Sequence, residues 1–243
     1  MRSRIALLLV AACFAGAVHA QHEPELDPAG NNVDNTASLQ RGARYFVNYC
    51  LGCHSANYVR YNRLAADLQL SEDQLLENLM FTGERPFDTM SIAMDPDDAS
   101  RWFGTAPPDL SLVARSRGTD YLYTFLRSFY RDETSPTGVD NAVLAGTAMP
   151  HVLWELQGIQ EAHVETDPEH EGEEHMVLEL ETPGTLSEEE FDSVVRDIVN
   201  FLDYIGEPMQ LERRSLGIRV IAFLLVLLLI SGMLKKEIWK DVE

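Results

Sequence analysis

A five-residue motif, Cys50-Leu51-Gly52-Cys53-His54, constrains this chain more than any other feature of its sequence. The C-x-x-C-H spacing is that of c-type haem attachment, where two thiols add to the porphyrin vinyl groups and the adjacent histidine binds iron. The alternatives are a redox disulfide and half of a zinc site. A structural zinc ion needs four ligands, and no second C-x-x-C and no H-x-x-x-H supplies them. The motif also ends a helical stretch rather than lying in the βαβ context of a thioredoxin-type disulfide.

The cysteine count agrees with a single haem. The chain has three cysteines, and one of them, Cys13, lies within an N-terminal segment with the pattern of an export signal. A mature chain would therefore retain only Cys50 and Cys53, and both are used by one haem c. No thiol is left for a structural disulfide.

The N-terminus has the organisation of a secretory signal. Two arginines precede an apolar run over residues 5–18, and small residues offer a cleavage site after Ala20. Residues 10–13 also resemble a lipoprotein processing box, which would leave Cys13 lipidated. We favour removal of residues 1–20, because lipidation would leave an apolar tail exposed after Cys13 and a second anchor makes a lipid unnecessary.

That second anchor is an apolar segment, residues 214–235, whose length matches the ~20 residues that cross a bilayer. Basic residues flank it evenly, so the positive-inside rule does not orient it. The export signal does: it predicts one domain, residues 21–213, outside the cytoplasmic membrane, and a cytoplasmic tail, residues 236–243.

The chain is strongly acidic, with a formal net charge of −20. Phosphate binding requires a basic surface, so nucleic acid is excluded as a partner. An acidic surface would steer a basic partner, and salt would weaken that steering. Solubility alone is the alternative explanation of the charge.

Helical periodicity predicts a mainly α fold with long loops. Apolar residues recur at helical spacing between residues 39 and 50, and capping boxes begin helices after Ser71 and Ser187. The apolar stripe of the last soluble helix is predicted to pack on the helix that carries the haem motif. A further helix is predicted over residues 119–130.

Two other segments lack a helical pattern. Residues 83–108 are predicted to be loop, and residues 161–175, rich in acidic residues, are predicted to be a solvated, mobile loop or insertion. Residues 176–181 form the only candidate strand.

Electron transfer by the haem needs a second axial ligand, and methionine or histidine can serve. Met149 lies among small residues before Pro150, a setting that permits close approach to iron. Met94 has a favourable distance from His54 in sequence but lies beside three aspartates. His151 is the bis-histidine alternative. On the residues alone, Met149 is favoured and the choice stays open.

These features together resemble the cytochrome c1 family in a Gram-negative bacterial form. The haem motif is shared by many families, whereas the combination of Pro-Pro-Asp-Leu-Ser, R-x-R-G and one C-terminal span is more specific. The motifs that carry the resemblance are C-x-x-C-H, Tyr58-Val59-Arg60-Tyr61, Ala106-Pro107-Pro108-Asp109-Leu110-Ser111, Arg115-Ser116-Arg117-Gly118, Pro136-Thr137-Gly138, Ala148-Met149-Pro150, Val195-Arg196-Asp197 and Glu207-Pro208.

The resemblance implies a class I cytochrome c-like haem domain and one transmembrane helix. It makes His54 and Met149 the axial ligands, pairs Arg115 with a haem propionate and places Pro107 and Pro108 along the haem. The acidic residues 161–181 depart from the family pattern.

The implied function is an electron-transfer subunit of ubiquinol–cytochrome c oxidoreductase, the bc1 complex, in the bacterial inner membrane with its haem domain in the periplasm. Its partners would be cytochrome b, the Rieske iron–sulfur protein and a soluble or tethered cytochrome c, within a dimeric complex. No catalytic acid, base or nucleophile is predicted. The alternative is an anchored monohaem cytochrome that donates electrons to a terminal oxidase or dehydrogenase outside a bc1 complex.

Overall fold

The structure, a computed structural model, describes residues 25–92, 94–166 and 174–240, so the predicted signal over residues 1–20 lies outside the described residues. About half of the chain is helical, as the sequence predicts. The helices are α1 (Thr36–Tyr45), α2 (Tyr61–Asp67), α3 (Glu72–Asn78), α4 (Pro96–Phe103), α5 (Val113–Arg117), α6 (Thr119–Arg127), α7 (Trp154–Gln157), α8 (Glu188–Gly206) and α9 (Gln210–Ile238).

Short antiparallel pairs of strands lie between the helices. The pairs are β1 (Ala56–Arg60) with β2 (Thr89–Met90), β3 (Phe129–Arg131) with β4 (Val139–Asn141), and β5 (Gly158–Thr166) with β6 (Glu174–Pro183). In β3–β4 the register places Tyr130 opposite Asp140. This second pair directs the chain into the loop that contains Met149.

The centre of the fold is the packing of α1 on α8, which confirms the predicted contact between the first and last soluble helices. The helices approach so closely at Gly42 that a Cβ atom there would lie 2.0 Å from the carbonyl oxygen of Asp197. One turn further on, the rings of Phe46 and Phe201 lie 5.4 Å apart. Glycine at position 42 is therefore what permits the backbones to approach.

A buried polar network fixes the same contact. The Asp197 carboxylate accepts hydrogen bonds from Ser38 Oγ over 2.6 Å and from Arg41 Nη2 over 2.9 Å. Asn200 Nδ2 donates to Ser38 Oγ over 2.9 Å. A buried carboxylate is tolerated only when it is paired and hydrogen-bonded, so these partners determine which faces of α1 and α8 meet.

Both predicted capping boxes are present. The Ser71 and Ser187 hydroxyls accept from the backbone N–H groups of Gln74 and Glu190, whose side chains bond back to the serine backbone. The predicted helix over 119–130 ends at Arg127, because residues 129–131 form β3 instead.

The prediction of loop over residues 83–108 is wrong in part, since β2 and α4 lie within it. Asp95 begins α4 by accepting hydrogen bonds from the N–H groups of Asp97 and Asp98. The sequence signal was the Asp-Pro dipeptide at 95–96, an N-cap followed by proline in the first turn.

The prediction of a mobile loop over residues 161–175 is wrong where the structure describes that segment, and 176–181 is not the only strand. Residues 158–166 and 174–183 form a long antiparallel ribbon. Its register pairs Ala162 with Leu178 and Val164 with Met176 on one face, while the charged residues alternate onto the other. An alternation of apolar and polar residues, typical of a strand, was present in the sequence, but the high density of charged residues obscured it.

Helix α9 is long and apolar enough to cross a membrane, with 29 residues and a mean hydropathy of 2.5 over its most apolar window. That window is not buried within the described residues. A core helix would cover its apolar side chains with protein, so this helix requires another apolar environment.

Candidate haem-binding site

The C-x-x-C-H motif lies where α1 ends. Residues 46–50 continue α1 as a turn of π-helix, and Leu51 N–H bonds the carbonyl of Phe46 over 2.9 Å. The N–H groups of Cys53 and His54 then both bond the carbonyl of Cys50, over 3.0 and 2.8 Å. This tight turn keeps the two thiols and the imidazole close together, as the motif requires.

The two cysteines are free, half-buried residues, with no disulfide between them. Burial of the sulfur, and secondarily the neighbouring Cys53, raises the pKa of Cys50 to about 12. A thiol that ionises so reluctantly is poorly suited to thiol–disulfide exchange, which depends on the thiolate. This property of Cys50 argues against a redox disulfide at this position.

The half-buried His54 ring is oriented by the segment that contains the two prolines. Its Nδ1 lies 2.8 Å from the carbonyl oxygen of Pro108. A carbonyl can only accept, so Nδ1 carries the proton and Nε2 keeps its lone pair. Burial lowers the pKa of His54, although the Pro108 bond opposes the shift. The ring is therefore held neutral, in the state that binds a metal.

Further hydrogen bonds join residues 108–111 to residues 54–58. Leu110 N–H donates to Ser55 O over 2.8 Å, and Asp109 Oδ2 accepts from Asn57 N–H over 2.8 Å. Ser111 Oγ accepts from Tyr58 N–H over 3.1 Å. The Pro-Pro-Asp-Leu-Ser motif thus lies directly beside the haem motif. Sequence reasoning gave Asp109 and Ser111 no role, and nothing in a single sequence marks them as hydrogen-bond acceptors.

Met149 lies in the loop that follows β4 and packs, half-buried, against the hydrophobic core. Its N–H donates to Thr147 Oγ1 over 3.4 Å. The N–H groups of Gly146 and Thr147 bond the Asp140 carboxylate over 2.8 and 3.2 Å. Gly146 has a φ of 73°, in the left-handed region that favours glycine. The loop is therefore held by specific bonds, and Asp140, like Asp109 and Ser111, is a residue that sequence reasoning missed.

Other methionines of the described residues are in different settings. Met90 is fully buried in β2, opposite Ala56. Met209 is exposed and accepts from Arg63 Nη2 over 3.4 Å. Met94, the second choice from sequence, is half-buried just before the N-cap of α4. None of these methionines lies in a loop held as the Met149 loop is.

His151, the histidine alternative, is a buried packing residue. Its ring stacks on Phe129 with centroids 5.1 Å apart and planes 5° apart, and only 6% of the residue is exposed. Burial lowers its pKa to about 4, so the ring is neutral at physiological pH. One face of this ring is occupied by Phe129.

Arg115 and the prolines complete the predicted set. Arg115 is exposed on α5, and its Cγ lies 3.2 Å from the position of a Cβ atom at Gly206. Among the described residues no carboxylate forms an ion pair with Arg115, so its guanidinium is free for an outside anion. Pro107 is half-buried and Pro108 exposed. Hydrogen bonds bring Pro108 to His54. Among the residues that the structure describes, no hydrogen bond or ion pair joins Arg115 or Met149 to that group.

This donor set fits a c-type haem. Two free thiols and a neutral imidazole with an unprotonated Nε2 are held in one tight turn. An imidazole that donates its second N–H to a backbone carbonyl is the usual arrangement of a metal-binding histidine.

Comparison with known proteins identifies the family. The sequence model described as Cytochrome C1 family matches residues 30–242. The chain belongs to the cytochrome c1 family. Cytochrome c1 of Allochromatium vinosum is 51% identical over 90% of each chain. The ammonia monooxygenase gamma subunit of Nitrosomonas europaea is 44% identical over 91% of this chain and 90% of that protein. Mitochondrial cytochrome c1 of Saccharomyces cerevisiae is 27% identical over 97% of this chain and 78% of that protein.

As a member of this family, the chain is a haem protein that carries one covalently attached haem c, and it acts as an electron carrier. The C-terminal apolar helix α9 fits the membrane anchor of such a protein. The haem supplies a one-electron Fe(III)/Fe(II) couple, and the protein supplies ligation, orientation and electrostatics.

Proposed function

We propose that this chain relays single electrons from the Rieske iron–sulfur protein to a cytochrome c within a bacterial bc1 complex. The family match over residues 30–242 is the observation that carries this proposal. Cytochrome b and the Rieske protein are the proposed partners, in a complex that is itself dimeric. The chain performs no bond chemistry of its own in this scheme.

In the proposed site, Cys50 and Cys53 would hold the haem through two thioether bonds, and His54 Nε2 would bind its iron. The hydrogen bond from His54 Nδ1 to Pro108 supports this assignment, because it fixes the tautomer and the direction of the ring. Met149 is proposed as the second axial ligand. Its thioether would favour the ferrous state and so raise the reduction potential.

Three further residues are proposed to contact the haem. Arg115 would pair with a propionate, which is a carboxylate that needs a charge-assisted partner when it is partly buried. The exposure of Arg115, with no ion pair among the described residues, supports that role. Pro107 and Pro108 would present rigid apolar backbone to the ring, next to the histidine that the Pro108 carbonyl already holds.

We propose residues 1–20 as a removed signal, 21–213 as the periplasmic haem domain, 214–235 as the inner-membrane anchor and 236–243 as a cytoplasmic tail. The exposed apolar surface of α9 supports the anchor. The acidic surface would steer a basic cytochrome c acceptor toward the haem domain.

The experiment is reduction of the haem by a quinol in the tagged full chain, purified in mild detergent with its copurifying subunits. A bc1 role predicts fast reduction that a quinol-site inhibitor abolishes. A haem that dithionite reduces but quinol does not, even after cytochrome b and the Rieske protein are added back, would contradict the proposal. It would favour an anchored cytochrome that serves an oxidase or dehydrogenase.

A further inference from the structure

Asp140 lies at the end of β4, six residues before the loop turns at Gly146. Its carboxylate accepts hydrogen bonds from backbone N–H groups of the Met149 loop. Gly146 N–H lies 2.8 Å from Oδ1 and 3.0 Å from Oδ2, and Thr147 N–H lies 3.2 Å from Oδ1. The N–H of Asn141 bonds Oδ1 as well, over 2.8 Å. Hydrogen bonds to an ionised acceptor are roughly twice as strong as neutral ones.

Asp140 is itself fixed by the strand pair. It lies opposite Tyr130 in the β3–β4 register. Side chains of directly opposed residues on antiparallel strands are neighbours. Burial, and after it the negative charges of Asp140 and Asp132, raises the pKa of Tyr130. The Asp140 carboxylate is therefore fixed in position by strand β4 while it bonds the Met149 loop.

The bonds continue to the methionine. Thr147, buried and bonded to Asp140 through its N–H, offers its Oγ1 to the N–H of Met149 over 3.4 Å. One chain of hydrogen bonds thus leads from a strand of defined register to the backbone of Met149. A loop of small residues without such bonds would sample many conformations. The Met149 side chain would then compete poorly with external ligands for a metal ion.

We infer that Asp140 is a positioning residue that holds the Met149 thioether on the haem iron. This inference rests on the proposed assignment of Met149 as the axial ligand. Without Asp140, the loop would open more often, and an external ligand would then reach the iron more easily. The fraction of time that the loop is open is therefore the quantity to measure.

The test uses the haem-loaded full chain in detergent and compares Asp140→Asn with Asp132→Asn. Asp132 lies in the turn of the same strand pair. Its carboxylate accepts from Thr134 and Ser135 of that turn and its N–H donates to Gly138 O, so the control removes the same charge without touching the Met149 loop. The measurements are imidazole affinity of the ferric haem and the methionine–iron charge-transfer band. We expect imidazole to bind D140N about tenfold more tightly than the wild type, the size of one lost charge-assisted hydrogen bond.

D132N should match the wild type in both measurements. Equal imidazole affinity in D140N, D132N and the wild type would overturn the inference. If D140N does not accumulate with haem, Thr147→Val replaces it, because it removes the acceptor of the Met149 N–H; Thr147→Ser, which keeps the hydroxyl, is its control. T147V equal to T147S in imidazole affinity would likewise overturn the inference.

Failure of the ligand assignment has a different signature. If Met149→Leu leaves the charge-transfer band unchanged, then Met149 is not the ligand and the proposed site is wrong. If Met149→Leu abolishes the band while D140N and T147V behave as their controls do, the ligand assignment stands and only the role of Asp140 fails.

Discussion

The Nδ1 atom of His54 lies 2.8 Å from the carbonyl oxygen of Pro108, 54 residues further along the chain. The bond determines which ring nitrogen keeps a free lone pair, since the carbonyl can accept but cannot donate. The rigid proline backbone limits how far the acceptor can move. The hydrogen-bond partner of His54 therefore belongs to the Pro-Pro-Asp-Leu-Ser motif. From the sequence alone, only the family resemblance connects this motif with the haem.

Asp109 stabilises this arrangement, and its contribution should depend on pH. Its carboxylate accepts from Asn57 N–H and from Ser111 N–H, over 2.8 and 2.9 Å. Burial raises the pKa of Asp109, but the hydrogen bonds from Ser111 and Asn57 outweigh burial and leave it below its ordinary value. We expect Asp109→Asn to lower the free energy of unfolding by roughly 0.5–1 kcal/mol at neutral pH, because solvent screens this exposed carboxylate.

The sign of the pH dependence follows from the lowered pKa. The stabilisation is complete above the unfolded-state pKa of about 3.9 and is lost as the pH falls through the lower folded-state pKa. Denaturant unfolding of wild type and D109N at several pH values measures this. The two proteins should converge in acid; a difference that stays constant as the pH falls would contradict the prediction.

The close approach of α1 and α8 predicts a severe effect of Gly42→Ala. The added Cβ would lie 2.0 Å from the backbone oxygen of Asp197, and neither backbone can yield without separating the helices. We expect a loss of about 3 kcal/mol or more in the free energy of unfolding. Arg44→Ala is the control on the same helix, since Arg44 is exposed and should change stability by less than about 0.5 kcal/mol. Similar values for both variants would refute the packing argument.

Met149→Leu should change the spectrum and the potential of the haem. Leucine has a similar volume but no lone pair, so the ferric methionine–iron band should disappear. The midpoint potential should fall by roughly 100 mV or more, within the ~0.8 V range that axial ligands cover. Met94→Leu is the matched control and should keep both properties. Redox titration and ferric absorption spectra measure them, and loss of the band in M94L instead would transfer the assignment to Met94.

The acidic surface should accelerate electron transfer to a basic cytochrome c. With a net charge of −20, attraction enhances association, and salt screens it beyond a Debye length of about 10 Å at 0.1 M ionic strength. We expect the second-order rate constant for oxidation of the haem by a basic cytochrome c to fall steeply with ionic strength. Stopped-flow measurements test this. A rate constant that does not depend on salt would remove the steering role and leave the charge to solubility.

Local patterns predicted several features well. The capping boxes at Ser71 and Ser187 depend on residues three apart, and the structure has both. Packing of α1 on α8 followed from two apolar stripes, because each amphipathic helix must cover its apolar face. The ribbon over 158–183 was missed because charge obscured its alternation. Helix α4 was missed because the Asp-Pro start signal at 95–96 stands in a segment without sustained apolar periodicity.

The sequence by itself determined the chemistry of this protein. Haem attachment requires two thiols and a histidine at fixed short spacing, and a membrane anchor requires some 20 consecutive apolar residues. Both features are local in the sequence and can therefore be recognised without a structure. Tertiary structure decided how that chemistry is held. The acceptor for His54 comes from Pro108, and the loop of Met149 is bonded to Asp140 on β4. A hydrogen bond between segments depends on how the chain folds back on itself, and a single sequence does not contain that distance.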